Sequence, residues 1–356
     1  MAPAVTGAVA AVTTIGSWEG DGVSVHQVEE ALSDLRRHEQ RAAVRTSVLT
    51  LVCVVGDDAG AGAALDVVYD LGARHPSRTI VLVIDDREDA ENGLDAAASV
   101  HVVEREGKAV CFEDVVLRVR GRSRHHLDSV VEPFSLPDLP LVVWLPARLP
   151  APGDPLLAVA DRVVVDSRAV AASGETGAGA TPRAGGAIND SVLPRIQALA
   201  RRLPVADLSW TRLAPWRSLL AGLFEGPVYG PFLREIERVE VAGNYGPRHL
   251  LGGWLLGRLD VPLARLDLRP DEHVSITIAA VHRNRTGTFR VARPGAARVI
   301  ETSIEIDGGP SVSQSMQMRE RWPALALAGA LTRMGRDDVY CDALEGALAL
   351  RAAVRP

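Results

Sequence analysis

The sequence predicts a two-part fold: an α/β N-terminal domain with a mostly parallel sheet, then an α+β C-terminal domain with an antiparallel sheet. Three observations predict it. The first half alternates short, continuous apolar runs with helix-length segments, as strands covered on both faces do. The second half replaces those runs with alternating segments such as Val274/Ile276/Ile278 and Ile300/Ser303/Glu305, the mark of a sheet with one wet face. Between them, 171–187 holds five glycines among Ser, Thr, Pro and Ala, a linker composition.

The elements follow in order. Residues 1–20 lack periodicity and read as a loose arm ahead of an α/β domain over 21–170. Val25 to Val44 carries Val28, Leu32 and Leu35 on one helical stripe. Ser47–Val55 and Thr79–Ile84 are buried strands, with a helix over Gly60–Ala73 between them. Ser99–Glu104 and Asp114–Arg120 are further strands, and Arg105-Glu-Gly-Lys108 reads as a polar hairpin turn. A short helix over Arg124–Pro133 leads to strands at Leu141–Leu145 and Arg162–Val165.

The second domain spans 188–356, starting with helices at Asn189–Leu203, Thr211–Phe224 and Gly246–Leu259. Strands are expected at Glu235–Val241, Val274–His282, Gly287–Ala292, Arg298–Ile306 and Pro310–Met316. Trp322–Met334 and Asp337–Ala352 close the chain as helices.

Composition excludes several chemistries. A net charge of −6 over 356 residues offers nucleic acid and anionic membrane no attraction. Of 39 basic residues only Lys108 is a lysine, so the turn Gly56–Gly62 lacks the lysine of a phosphate loop, and Asp57 and Asp58 would repel an anion there. Cys53, Cys111 and Cys341 are scattered without metal-ligand spacing, which fits a reducing compartment. No basic residue precedes Arg36 and no apolar run reaches membrane length, so the expectation is a soluble, cytoplasmic protein. No G-x-S-x-G or H-E-x-x-H occurs, and His125-His126 are adjacent rather than paired on one face. No catalytic, cofactor or metal residue is assigned. The acidic run at Asp85, Asp86 and Asp89 reads as a solvated loop, with Mg²⁺ coordination as the alternative.

The richest stretch is Asp207 to Phe224. There Trp210 is followed by Arg212, and Trp216 by Arg217, a pairing of residue types that anchors many protein interfaces. Buried packing is the competing reading for both tryptophans, and Trp254 reads as core. Arg283 and Arg285, at the turn His282–Gly287, could grip carboxylates or phosphates. These six residues, Trp210, Arg212, Trp216, Arg217, Arg283 and Arg285, are the candidate partner contacts.

Asp207-Leu-Ser-Trp-Thr-Arg-Leu-Ala-Pro-Trp-Arg217, with Pro137-Asp-Leu-Pro-Leu-Val-Val-Trp-Leu-Pro146 upstream, resembles the glucose-6-phosphate dehydrogenase assembly proteins, the OpcA family. Arg45–Val52 and His75–Val83 extend the resemblance, which runs from about Val44 to near the C-terminus. It implies a non-catalytic partner that binds glucose-6-phosphate dehydrogenase and favours its active assembly, in the oxidative pentose phosphate pathway. The arginine-rich composition suits the family's actinobacterial members. The thiol switch associated with cyanobacterial members does not carry over to three scattered cysteines. The chain is not the dehydrogenase itself, because it lacks a lysine beside a His-Tyr pair and a Gly-x-Gly-x-x-Gly turn after the first strand. The alternative is an enzyme or sensor for a sugar phosphate or nucleotide, using the strand ends of the α/β domain.

Overall fold

The computed structural model describes residues 12–38, 47–71, 75, 77–85, 87, 90–105, 108–173, 191–295, 298–318 and 323–354. Two compact units divide the chain: the first runs to Val165 and takes in Pro323–Met334, and the second holds the remainder of the C-terminal part from Asp166. The expected arm over 1–11 and the greater part of the linker, 174–187, lie outside the described residues.

In the first unit, strand β1 (Val12–Gly20) stands where a loose arm is expected. It pairs antiparallel with β4 (Gly93–Arg105), Val12 opposite Val103 and Gly20 opposite Ala96. Sequence pattern misses it because none of its residues is buried and two of the four on its half-buried face, Gly16 and Gly20, are glycines that carry no hydrophobic signal. Helix α1 (Val25–His38) buries Val28 and Leu32 and opens on a capping box: the Gln27 side chain accepts from the Ser24 amide at 2.8 Å, and the Ser24 hydroxyl accepts from the Gln27 amide at 3.3 Å. Strand β2 (Leu49–Val55) is wholly buried and helix α2 (Asp58–Leu71) follows it. Strand β3 (Ser77–Ile84) comes next, and β4 forms a hairpin with β5 (Lys108–Arg120), Lys108 opposite Arg105. Arg105 and Lys108 thus flank the tip of a hairpin, where the sequence places a turn. Helix α3 (Leu127–Val131), strand β6 (Leu141–Leu145), helix α4 (Leu156–Val159) and strand β7 (Arg162–Val165) complete this part of the unit. Its sheet runs β1-β4-β5-β3-β2-β6-β7, and β5-β3-β2-β6-β7 are parallel neighbours. Those inner strands are the apolar runs of the sequence, buried on both faces as the parallel arrangement requires.

The second unit starts with helices α5 (Ser167–Ser173) and α6 (Val192–Ala200), a three-residue strand β8 (Val205–Asp207), and helices α7 (Leu208–Arg212) and α8 (Ala214–Phe224). Strand β9 (Ile236–Gly243) feeds helix α9 (Tyr245–Leu259), which stops at Asp260 in a left-handed conformation, φ 50°. Strands β10 (Leu266–Pro270), β11 (Ser275–His282), β12 (Arg285–Ala292), β13 (Val299–Ile306) and β14 (Val312–Gln317) follow. The sheet order is β10-β9-β11-β12-β13-β14, antiparallel except for the parallel β10–β9 pair. The inward set of β13 is Ile300, Thr302 and Ile304, which corrects the Ile300/Ser303/Glu305 reading. Helix α10 (Pro323–Leu331) belongs to the first unit, where it packs against α2, while α11 (Asp338–Val354) packs along α9 in the second. Phe289 is the aromatic centre of this unit, its ring 4.7 Å from Phe224, 5.3 Å from Phe232 and 5.8 Å from Tyr229. Gly287 is required beside it: a Cβ there would lie 2.9 Å from the Phe232 ring.

Candidate functional site

The Trp-Arg segment of the sequence forms α7 and the start of α8, and Asp207 is the residue that starts it. The Asp207 carboxylate caps α7 by accepting the Ser209 amide at 2.9 Å, and also takes the Ser167 amide at 3.1 Å and the Tyr340 hydroxyl at 3.3 Å. Asp166 lies alongside, accepting the Ser209 hydroxyl at 2.8 Å and the Arg212 guanidinium at 2.6 Å. Burial, and then the neighbouring Asp166 charge, push the Asp207 carboxyl up to about 6. Burial and the Asp207 charge hold the Tyr340 phenol well above its ordinary value.

Both tryptophans are interior. Trp210 is 5% exposed and Trp216 is 6% exposed. The Trp210 indole donates to Asp337 at 3.3 Å and its ring lies 5.9 Å from Tyr340. Arg217 stacks on the indole, its guanidinium carbon 3.3 Å from the Trp210 ring centre, and donates to the Trp210 carbonyl at 3.2 Å. Burial lowers the Arg217 guanidinium to about 10. Trp216 donates to the Val274 carbonyl at 3.3 Å. The burial of both indoles fits the core-packing reading of this segment, with Arg217 stacked on Trp210 and Arg212 paired with Asp166. Trp254 is half-buried.

Arg283 and Arg285 are placed differently. His282 pairs with Arg285 across a two-residue turn in which Arg283 (φ 50°) and Asn284 (φ 59°) both adopt positive φ, the type I′ geometry of tight hairpins. Both arginines are exposed, and Arg285 donates to the Asp307 carbonyl at 2.9 Å. The six candidates therefore fall into two buried tryptophans with two half-buried arginines, and a surface pair, not one site.

The strand ends show little room for the alternative chemistry. Asp57 accepts the Gly60 amide at 2.7 Å, placing a carboxylate where a phosphate would sit at the start of α2. Asp85 is held by Arg87, whose hydrogen bonds bring its carboxyl down to about 2. Asp86 and Asp89 lie outside the described residues. A cleft of about 320 Å³ opens beside α1, lined by His26, Arg36, Arg37, Arg78 and Phe134 among others. Glu113 receives Arg36 through two bonds of 2.7 Å and Arg78 at 3.2 Å, so both guanidinium groups already have a carboxylate. Arg78 is the second residue of β3, at the amino end of the parallel strands, away from the carboxyl ends where open α/β sheets bind ligands.

Sequence reasoning missed a hydrogen-bonded chain in the first unit, centred on the buried pair His101 and Asp114. His101 bonds Asp114 at 2.5 Å and the Thr14 hydroxyl at 3.0 Å, and Tyr69 donates to Asp114 at 3.0 Å. Thr14 is the register partner of His101, so the chain fastens the edge strand β1 to β4 and β5. Its members are far apart in sequence, and only knowledge of the strand order could have joined them. Among the described residues no group of three His, Cys, Asp or Glu could hold a metal ion.

Residues 68–179 match the family model described as the glucose-6-phosphate dehydrogenase subunit N-terminal domain, and residues 203–344 match its C-terminal counterpart. The chain belongs to the OpcA family. A protein of Synechocystis sp. named OxPP cycle protein OpcA is 26% identical over 197 residues, 53% of this chain and 38% of that protein. The Nostoc punctiforme protein of the same name is 27% identical over 205 residues, 54% of this chain and 40% of that one. The alignments thus span about four tenths of each OpcA relative's own length. The Trp-Arg segment and the Arg283–Arg285 turn both fall inside the C-terminal OpcA match. No helix among the described residues is long and apolar enough to cross a membrane.

Proposed function

We propose that this chain is a non-catalytic assembly factor that binds glucose-6-phosphate dehydrogenase and favours its active form in the oxidative pentose phosphate pathway. The observation that carries the reading is the double match to domains described as a subunit of that enzyme, at 68–179 and 203–344. The internal engagement of Asp57, Asp85, Asp166 and Asp207 supports a structural rather than a chemical role for them. A factor that binds only the active conformer or oligomer shifts the population toward it by its differential affinity. We assign partner contact to Arg283 and Arg285, whose exposed guanidinium groups suit carboxylates on an acidic patch. Trp210, Arg212, Trp216 and Arg217 would act from beneath, by fixing α7 and α8.

The test is NADP⁺ reduction by the same organism's purified dehydrogenase with and without this chain. A higher kcat or a lower KM, with no turnover by this chain alone, is expected. An unchanged rate together with no co-migration on a sizing column would overturn the reading. The alternative, a sugar-phosphate or nucleotide sensor, is favoured only by the arginine-lined cleft beside α1. It predicts saturable heat on titration with glucose 6-phosphate, 6-phosphogluconate or NADP⁺, and silence in all three titrations removes it.

A further inference from the structure

Among the described residues, strand β14 is an edge without the protection that edges ordinarily carry. It closes the sheet of the second unit, and all six of its residues are exposed. Its sequence, Val-Ser-Gln-Ser-Met-Gln, has no charge, proline or glycine, and it pairs with β13 without a bulge. Two other edges are guarded. β10 carries Asp267, Arg269 and Pro270, and β1 is broken by an irregularity between Thr14 and Gly16. Proteins use such charges, prolines and bulges to keep exposed edges from pairing with other chains. Their absence from β14 marks an edge that is meant to pair.

The register fixes which groups are free. Met318 donates its amide to the Arg298 carbonyl at 2.9 Å, and the Gln314 carbonyl accepts from the Thr302 hydroxyl at 3.4 Å. Main-chain groups alternate in direction along an antiparallel strand, so those of Val312, Gln314 and Met316 face β13, and those of Ser313, Ser315 and Gln317 face outward. Side chains divide in the same way. Val312 lies opposite Ile304 and Met316 opposite Ile300, on the face where Ile300 and Ile304 are buried. Yet Val312 is 38% and Met316 39% exposed, so the apolar face runs on past its cover to the open edge.

We propose that β14 pairs antiparallel with β14 of a second copy of this chain, about a two-fold axis at Gln314. In that register Ser313 faces Ser315 of the second copy, and their outward groups close about four main-chain hydrogen bonds around the axis. Val312 faces Met316 of the second copy, twice, extending the apolar face across the junction. About this axis Gln314 faces Gln314 of the second copy, so a charge there would meet its like. β14 has none, in a chain whose net charge is −6. The self-match of Val312 with Met316, and of Ser313 with Ser315, is what selects a second copy over an unrelated strand.

Sedimentation of the full chain from low to high micromolar concentration tests this, independently of any effect on the dehydrogenase. The wild type is expected to dimerise. Ser315→Pro removes an outward N–H that β13 does not use, so the fold stays while the dimer dissociation constant rises at least about tenfold. Met316→Lys, a second variant with its side chain on the open face, is expected to act alike. Trapping gives the register: in a Cys341→Ser background, Gln314→Cys sets two thiols on a non-hydrogen-bonded pair with Cα atoms about 4.5 Å apart, within disulfide reach. Oxidation should then yield a covalent dimer, and Gln317→Cys should not. A wild type that stays monomeric, a dimer indifferent to both Ser315→Pro and Met316→Lys, or equal cross-linking at both cysteine positions would overturn the proposal.

Discussion

The Tyr340 hydroxyl donates to Asp207 across 3.3 Å, tying α11 to the cap of α7. The bond is wholly interior, with Tyr340 and Asp207 each 1% exposed. Tyr340→Phe keeps the ring and strands one carboxylate oxygen away from water. The expected cost is about 1–3 kcal/mol, the penalty for an unmatched buried acceptor. A urea midpoint equal to wild type would show that the hydroxyl does not hold this junction.

Asp207 also predicts a pH dependence of stability. Burial raises its carboxyl from 3.8 to about 6 in the folded chain. Below pH 3.8 both states hold the proton; between there and 6 only the folded state does. This group's contribution is therefore full in acid, falls as pH rises through the window, and levels off above the folded pKa. The amplitude is on the order of 3 kcal/mol. Asp207→Asn keeps an oxygen for the Ser167 and Ser209 amides and has no proton to lose. The wild-type minus variant stability, from denaturation at several pH values, should decline from pH 4 to pH 6 by about two thirds of that amount. A flat difference would mean that the carboxyl titrates normally.

Helices α9 and α11 touch backbone to backbone at Gly253 and Gly346. A Cβ on Gly253 would overlap the Ala343 carbonyl oxygen and the Ala347 amide nitrogen, and one on Gly346 would lie 2.5 Å from the Gly253 carbonyl oxygen. Backbone cannot yield as a side chain tip can. Gly253→Ala should cost about 1–3 kcal/mol, despite alanine's better helix propensity. An unchanged melting temperature would show that the helices separate freely.

What the sequence disclosed follows from how each element is stabilised. The inner strands are apolar because both faces are covered, and Leu141–Leu145 and Arg162–Val165 fall where the pattern puts them. β1, β8 and β10 leave no such trace. β1 is exposed on most positions, β8 has three residues, and β10 ends in a proline. β1 and β10 are specified by backbone pairing with distant partners, which periodicity does not record, and β8 is too short to show a period. The same limit applies to the candidate site. Trp210 and Arg217 are seven residues apart and legible as a pair, but whether they face outward depends on Asp337 and Tyr340, far along the chain. The Arg283–Arg285 turn was legible because local residues alone decide a hairpin tip.

Buried and exposed candidates should separate when variants are titrated against the dehydrogenase. Arg283→Ala with Arg285→Ala removes two exposed guanidinium groups, so stability should change by no more than about 0.5 kcal/mol. Activation should nonetheless weaken by about tenfold in the concentration required, the scale of a charge-assisted contact. Trp210→Ala works the other way. It empties a core site bounded by Tyr340 and Arg217 and should cost about 3–5 kcal/mol of stability. Its loss of activation should then follow the unfolded fraction and recover on cooling to a temperature where the variant is folded. Full activation by the double arginine variant, with persistent loss in folded Trp210→Ala, would move the contact from the hairpin tip to the α7–α8 segment.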